Sequence, residues 1–132
     1  MKAKGSAAER ELVQMLWGSN YAAIRAAGSG VSRFYCPDVL AGNGAKAIAV
    51  ECKSTKGKYQ YIDAEQYRQL IEFARIFGAE AWFAVKFSTA WKFFKPEDLK
   101  QTPKGDYVVT REQDAKTLMD LTQKKDLLPT PV

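Results

Sequence analysis

Apolar residues near the N-terminus recur at helical spacing. The first stripe is formed by Leu12, Val13 and Leu16, which lie three, four and seven positions after Glu9. Ser6 and Glu9 match the capping-box pattern, so a first helix is predicted from Ser6 to about Gly18. A strand over residues 21–26 follows, and a loop that opens with small residues then extends to Pro37.

Two strands, over residues 38–41 and 45–53, are predicted around Gly42-Asn43-Gly44, a strong hairpin signal. The length of the connecting loop sets their register. A two-residue turn places Glu51 two positions beyond the partner of Asp38, on the same face of the hairpin. A four-residue loop places the two acids directly opposite each other, and a three-residue loop places them on opposite faces.

The rest of the chain predicts alternating helices and strands. In order, they are a basic loop over 54–61, a helix between Asp63 and Gly78, strands over 80–87 and 90–94, a turn or short helix over 95–99, a strand over 107–110 and a helix over 113–121. This order predicts an α/β fold with a single mixed β-sheet flanked by helices. We expect one domain over residues 1–121 and a mobile C-terminal tail over 122–132.

Composition narrows the class of protein. The chain has 132 residues, 46% of them hydrophobic and 27% charged, which suits one ordinary globular domain. Membrane insertion is disfavoured because no apolar run approaches the ~20 residues of a membrane span. Glu9, Arg10 and Glu11 interrupt any signal peptide, which disfavours secretion. Cys36 and Cys52 do not suggest a disulfide, so a reducing, cytoplasmic location is expected.

The charge balance indicates an anionic partner. Twenty Lys and Arg residues oppose 15 Asp and Glu residues, giving a formal charge of +5. Nucleic acid is the commonest partner of such a surface, and solubility alone is the alternative. The chain contains no His, so acid–base or metal chemistry must use carboxylates, Lys, Tyr or water.

A carboxylate cluster supplies the candidate chemistry. Asp38, Glu51 and Lys53 fall on one face of the hairpin, where Ala47 and Ala49 leave room above the sheet. Carboxylates are the hard ligands that Mg²⁺ or Mn²⁺ prefers, and such an ion lowers the pKa of a bound water and neutralises phosphate charge. Lys53 would position that water or stabilise the transition state. The alternative is a solvated hairpin with a Glu51–Lys53 pair.

Glu9 lies at the centre of the apolar stripe of the first helix, on the face that should contact the sheet. From there it could complete the metal shell directly or through water. The alternative is that Glu9 serves only the capping box, and both roles can hold together.

Pro37-Asp38 and Glu51-Cys52-Lys53 match the PD-(D/E)xK nuclease motif, and over roughly its first 95 residues the chain resembles the archaeal Holliday junction resolvase family. The stretches that carry this resemblance are residues 4–12, 25–29, 38–44, 50–53, 70–75 and 84–87. It implies a restriction-endonuclease-like fold and a metal-dependent endonuclease that cuts four-way DNA junctions. The stretch between Ser29 and Asp38 is longer than in the shortest family members, which leaves the position of Ser29 open.

The resemblance also assigns roles to single residues. Those on the family's catalytic positions are Glu9, Asp38, Glu51 and Lys53, and the backbone carbonyl of Cys52 would be a further metal ligand. Ser29 falls on a further functional position and is expected in the catalytic site, where it would bond DNA or an active-site water; the alternative is a plain turn serine. Arg10 and Arg25 also fall on functional positions of the family. With Lys4, Arg33, Lys56 and Lys58 they are expected to contact DNA phosphates, and a solvated charged loop is the alternative for each of the basic loop residues. A homodimer is implied, with Phe73 and Phe77 at the subunit contact, which suits the approximate two-fold symmetry of a four-way junction.

Two other functions remain open from the sequence. A nuclease of the same fold could act on other branched, damaged or duplex DNA, since substrate choice lies in loops. A basic DNA-binding module without cleavage would tolerate loss of the acids. Residues 123–126 weakly resemble a peptide that binds a sliding clamp, but they lack its terminal aromatic pair.

Overall fold

Helices and strands alternate along the chain in a computed structural model, which describes residues 3–26 and 34–123, without the side chains of residues 3–5. The elements are α1 (Ala3–Gly18), β1 (Ala22–Arg25), β2 (Val39–Gly42), β3 (Ala47–Thr55), β4 (Tyr59–Ile62), α2 (Ala64–Phe77), β5 (Glu80–Phe87), β6 (Ala90–Phe94), a 3₁₀ turn (Pro96–Asp98), β7 (Lys100–Gln101), β8 (Tyr107–Thr110) and α3 (Leu118–Thr122).

Five strands form the main sheet, in the order β1-β2-β3-β5-β6. Strands β3 and β5 are parallel and the other neighbours are antiparallel, so the sheet is mixed. The parallel pair is joined through α2, as parallel strands require a crossover. The predicted mixed sheet flanked by helices is therefore confirmed.

Alternate residues of β3 face two separate hydrophobic layers. Ile48, Val50 and Cys52 pack in a cluster with Leu12 and Leu16 of α1. Ala49 packs in a second cluster that contains Leu70 and Ala74 of α2. Helices α1 and α2 thus cover opposite faces of the sheet, and β3 is buried from both sides. Trp82, Phe93 and Phe94 are each buried.

The hairpin between β2 and β3 has the register of a four-residue loop. Val39 pairs with Val50 and Gly42 pairs with Ala47. Within the loop, Asn43 Oδ1 accepts hydrogen bonds from the backbone N–H groups of Ala45 and Lys46, at 2.9 and 2.7 Å. Gly44 has a φ of +95°, a conformation that costs glycine little. Of the loop lengths considered, this is the one that sets Asp38 opposite Glu51.

A second, three-stranded sheet in the order β4-β8-β7 was not predicted. The expected basic loop over 54–61 is wrong in extent, because β3 continues to Thr55 and β4 begins at Tyr59. Only residues 56–58 remain as loop. Tyr59 pairs with Thr110 of β8. Because this partner is distant along the chain, the local sequence does not indicate the strand.

The helix boundaries were predicted with unequal success. Helix α2 is confirmed, with Asp63 as its N-cap and Gly78 as a left-handed C-cap. The capping box that starts α1 at Ser6 is wrong, because α1 begins at Ala3 and Ser6 lies inside it. The last helix is shorter than predicted, because the backbone of Lys116 pairs with Phe93 of β6, and α3 starts only at Leu118.

The end of the described chain is attached to the rest of the fold. The backbone carbonyls of Thr122 and Gln123 accept hydrogen bonds from Tyr21 and Lys46, respectively. The expected tail beyond Gln123, with most of the clamp-like residues 123–126, lies outside the described residues. Within the described part of the chain, no helix is long and apolar enough to cross a membrane, and both Cys36 and Cys52 are free thiols.

Candidate active site

Strands β2 and β3 bring Asp38 and Glu51 together. Since Val39 pairs with Val50, the preceding Asp38 lies directly opposite Glu51. Asp38 Oδ2 accepts a hydrogen bond of 2.8 Å from the backbone N–H of Cys52. Glu51 is the buried charged residue of the described chain, with 5% of its surface exposed. Two carboxylates therefore share one largely dry position on the sheet.

Burial makes both acids harder to ionise, and the proximity of Asp38 adds to this for Glu51. The pKa of Glu51 is raised to about 7, first because burial penalises its charged form and second because Asp38 is close. Burial also raises the pKa of Asp38, although the hydrogen bond from Cys52 opposes this. Such a pair is stabilised by a nearby cation, and Lys53 contributes one positive charge that favours ionisation of both acids.

Lys53 is held by the neighbouring helix. Its Nζ donates a hydrogen bond of 3.0 Å to Oε1 of Gln66, in the first turn of α2. Gln66 was not among the residues predicted from the sequence. A signal was present, because Gln66 precedes the buried Leu70 by four positions and therefore lies beside the apolar stripe of α2. The predicted convergence of Asp38, Glu51 and Lys53 is what the structure contains.

Glu9 approaches the site from α1 and is bound by Arg25 of β1. The Arg25 Nε donates to Glu9 Oε1 at 2.9 Å, and a second guanidinium nitrogen donates to Ser6 Oγ at 2.8 Å. Burial raises the pKa of Glu9, the proximity of Asp38 raises it further, and Arg25 opposes both. Arg25, expected to contact DNA, is thus engaged by Glu9 and Ser6 within the protein.

The acidic side chains do not close around a common point. Within residues 3–26 and 34–123, no three Asp, Glu or Cys side chains are grouped so that they could hold a metal ion together. Asp38 and Glu51 form the close pair, while Glu9 remains in its ion pair with Arg25. A cation at this position would therefore take few side-chain ligands from the protein.

Tyr35 is a second residue that the sequence analysis missed. Its hydroxyl donates a hydrogen bond of 2.6 Å to Glu51 Oε1. Tyr35 belongs to the irregular segment before β2, where no hydrophobic period indicates which way a side chain faces. The pKa of Tyr35 is raised because the phenol is buried and lies against Glu51.

The remaining predicted DNA contacts are scattered or undescribed. Arg10, Lys56 and Lys58 are exposed, and none of them forms an ion pair within the described chain. Ser29 and Arg33 lie outside the described residues, and the side chain of Lys4 is not described.

Helix α2 carries an apolar face on the outside of the molecule. The rings of Phe73 and Phe77 stack with centroids 5.4 Å apart. Phe77 is 53% exposed and the adjacent Ile76 is 70% exposed. Phe73 and Phe77 are the residues for which a subunit contact was predicted.

Comparison with known proteins decides the family. A family model described as archaeal Holliday junction resolvase (Hjc) matches residues 1–128. The chain belongs to this family. The resemblance stated from the sequence is thereby confirmed.

Similar proteins within the family carry consistent names. A crossover junction endodeoxyribonuclease Hjc from Archaeoglobus fulgidus is 49% identical over 106 residues, covering 80% of this chain and 78% of the relative. Its namesake from Sulfolobus acidocaldarius is 39% identical over 113 residues, covering 84% and 79%. A solved structure of the Archaeoglobus fulgidus protein, described as a Holliday junction resolvase, superposes with a TM-score of 0.76 at 44% identity, covering 81% of this chain and 88% of that one.

Proposed function

We propose that this protein is an endonuclease that cleaves four-way DNA junctions by divalent metal-dependent hydrolysis of phosphodiester bonds. Membership of the resolvase family supports the class of substrate. The observation that carries the chemistry is the buried Asp38–Glu51 pair with Lys53 beside it. A DNA-binding module without cleavage would gain nothing from two acids that resist ionisation at the same place.

The donor set fits Mg²⁺ or Mn²⁺. Side-chain oxygens of Asp38 and Glu51, with the backbone carbonyl of Cys52, are hard ligands, and Glu9 would act through water. Mg²⁺ is commonly bound by one or two carboxylates while it keeps several waters, so few side-chain ligands suffice. When bound, such an ion lowers the pKa of a coordinated water molecule and offsets the charge of the phosphate.

Hydrogen bonds within the chain hold the side chains of this site in place before DNA binds. The backbone N–H of Cys52 orients Asp38, and the hydroxyl of Tyr35 orients Glu51. Gln66 holds Lys53, whose ammonium group supplies a positive charge for a phosphate oxygen in the transition state. Ser29 is assigned by the family resemblance to the same site.

Junction selection would come from charge and shape. Phosphates would be contacted by Lys4, Arg10, Arg25, Arg33, Lys56 and Lys58, which carry no base code. Two copies joined through Phe73 and Phe77 would place two equivalent sites on a substrate with two-fold symmetry, so that paired symmetric cuts leave nicked duplexes. The two free thiols fit action in the cytoplasm.

One gel experiment tests this function. A four-way junction, a linear duplex, a flap and a single strand of matched sequence are incubated with the protein and Mg²⁺ or Mn²⁺. We expect paired cuts in the junction alone, and none when a chelator is in excess.

The control for that gel is Asp38→Asn. It should abolish cutting while junction binding, measured by mobility shift without metal, persists. Equal cutting of the duplex or flap would indicate a nuclease with a different substrate. Cutting by Asp38→Asn, or in chelator, would contradict the proposed site.

A further inference from the structure

Tyr35 makes a polar contact that packing alone does not require. Its hydroxyl donates to Glu51 Oε1 at 2.6 Å, a short hydrogen bond to a carboxyl group that is 5% exposed. A Phe at this position would fill the same space. The hydroxyl therefore acts on one defined oxygen of Glu51, and Oε2 is the oxygen that this bond leaves to other partners.

The Tyr35 ring is itself fixed from the side of α2. It packs edge-to-face with the ring of Phe73, with centroids 6.1 Å apart and planes at 68°. Phe73 in turn stacks on Phe77. A row of three rings therefore runs from the buried carboxyl group of Glu51 to the exposed face of α2, and the position of the hydroxyl is set by contacts on a rigid helix.

We propose that Tyr35 is a positioning residue, which holds Oε1 of Glu51 so that Oε2 is presented to the divalent cation, with Phe73 as the support of its ring. This inference rests on the proposed metal site. Groups that orient a metal ligand in this way commonly contribute a factor of about 10–100 to metal affinity or activity. The loss of one hydroxyl should therefore be measurable without any DNA present.

The test compares Tyr35→Phe with the parent protein by calorimetric titration of Mn²⁺ in the absence of DNA. We expect Mn²⁺ to bind about 10-fold more weakly, since Glu51 loses the hydrogen bond that orients it. Phe73→Leu, which removes the supporting ring, should weaken binding in the same direction. The matched control is Tyr61→Phe, because Tyr61 is 56% exposed and its ring stacks on Tyr59.

A second measurement separates positioning from a loss of folding. The Mg²⁺ concentration that gives half-maximal junction cleavage should rise for Tyr35→Phe, and saturating Mg²⁺ should restore much of the rate. The metal-free melting temperature and the metal-free junction affinity should stay close to those of the parent.

The outcomes distinguish this inference from the function on which it rests. Mn²⁺ affinity of Tyr35→Phe within twofold of the parent, or tighter, would overturn the positioning role while Asp38→Asn stays inactive. Absence of Mn²⁺ binding by the parent protein would contradict both the metal site and the role of Tyr35. Cleavage by Asp38→Asn would contradict the proposed function itself, whatever the result for Tyr35→Phe.

Discussion

Glu51 is the residue in which the demands of stability and of chemistry conflict. It lies opposite Asp38 with 5% of its surface exposed, so ionising it places a second negative charge in a dry position. The charged form is the one that binds a cation. The protein therefore carries an electrostatic cost in its metal-free state that a bound cation would relieve.

The first prediction is the pH dependence of that cost. The folded-state pKa of Glu51 is raised to about 7 from an ordinary value of 4.5. The stability associated with the protonated form is complete below about 4.5 and is lost as the pH rises through about 7. At pH 8, in chelator, Glu51→Gln should be more stable than the parent by about 1–3 kcal/mol, and at pH 5 the difference should be much smaller.

Urea unfolding of both proteins at the two pH values measures this difference. The substitution should also abolish junction cleavage, because the amide cannot replace the carboxylate as a metal ligand. A stability difference that is the same at pH 5 and pH 8 would show that the carboxyl group does not titrate in this range.

At the scale of elements, the β2–β3 hairpin determines whether the acids meet at all. The observed register depends on Asn43, whose side chain accepts two backbone hydrogen bonds, and on Gly44 at φ +95°. A register shift by one residue would move Asp38 to the other face of the sheet. Turn chemistry is therefore part of the active-site geometry.

The second prediction concerns Gly44. A Cβ at Gly44 meets no atom within 4 Å, so Gly44→Ala costs only backbone strain, about 1 kcal/mol at a positive φ. Gly18→Ala is the matched control, since a Cβ there also meets no atom and no positive φ is required. Denaturant midpoints should fall for Gly44→Ala and not for Gly18→Ala. Equal effects would show that φ at residue 44 does not set the cost.

The same elements show what sequence can and cannot predict here. The hairpin, α2, β5, β6 and β8 carry local signals, such as the Asp63 and Gly78 caps, and these elements were predicted correctly. Strand β4 pairs with β8, almost fifty residues away along the chain. Its local sequence therefore predicts a loop and not a strand. Asp38, Glu51 and Lys53 follow from period and motif, whereas Tyr35 and Gln66 act through tertiary contacts.

At the scale of the molecule, the outer face of α2 groups exposed apolar side chains on one helix. Phe77 and Ile76 are both more than half exposed, at 53% and 70%. Exposed apolar residues grouped on one helix commonly mark an interface. In a two-fold dimer each of these residues would lie in the interface once from each subunit, so one substitution would remove two side chains from the contact.

The third prediction is the effect of Phe77→Ser on assembly. The substitution removes two rings from a two-fold contact, at about 1–2 kcal/mol each, so the dimer dissociation constant should rise about 100-fold. Sedimentation velocity at micromolar concentration measures this. Met119→Ser is the control, because Met119 is 79% exposed on α3. A parent protein that sediments as a monomer would contradict the proposed dimer.

Arg111 holds the loop that carries Lys56 and Lys58. Its guanidinium donates to the carbonyl oxygens of Lys56 and Gly57 at 2.8 and 3.0 Å and to Ser88 Oγ at 3.0 Å, and it lies over the ring of Phe87. Because this backbone is already held in place, the loop loses little conformational entropy when it binds an anion. The backbone positions from which the two lysines extend are then fixed, so a DNA arm that meets both ammonium groups, as proposed, would have to fit this loop by its own bend.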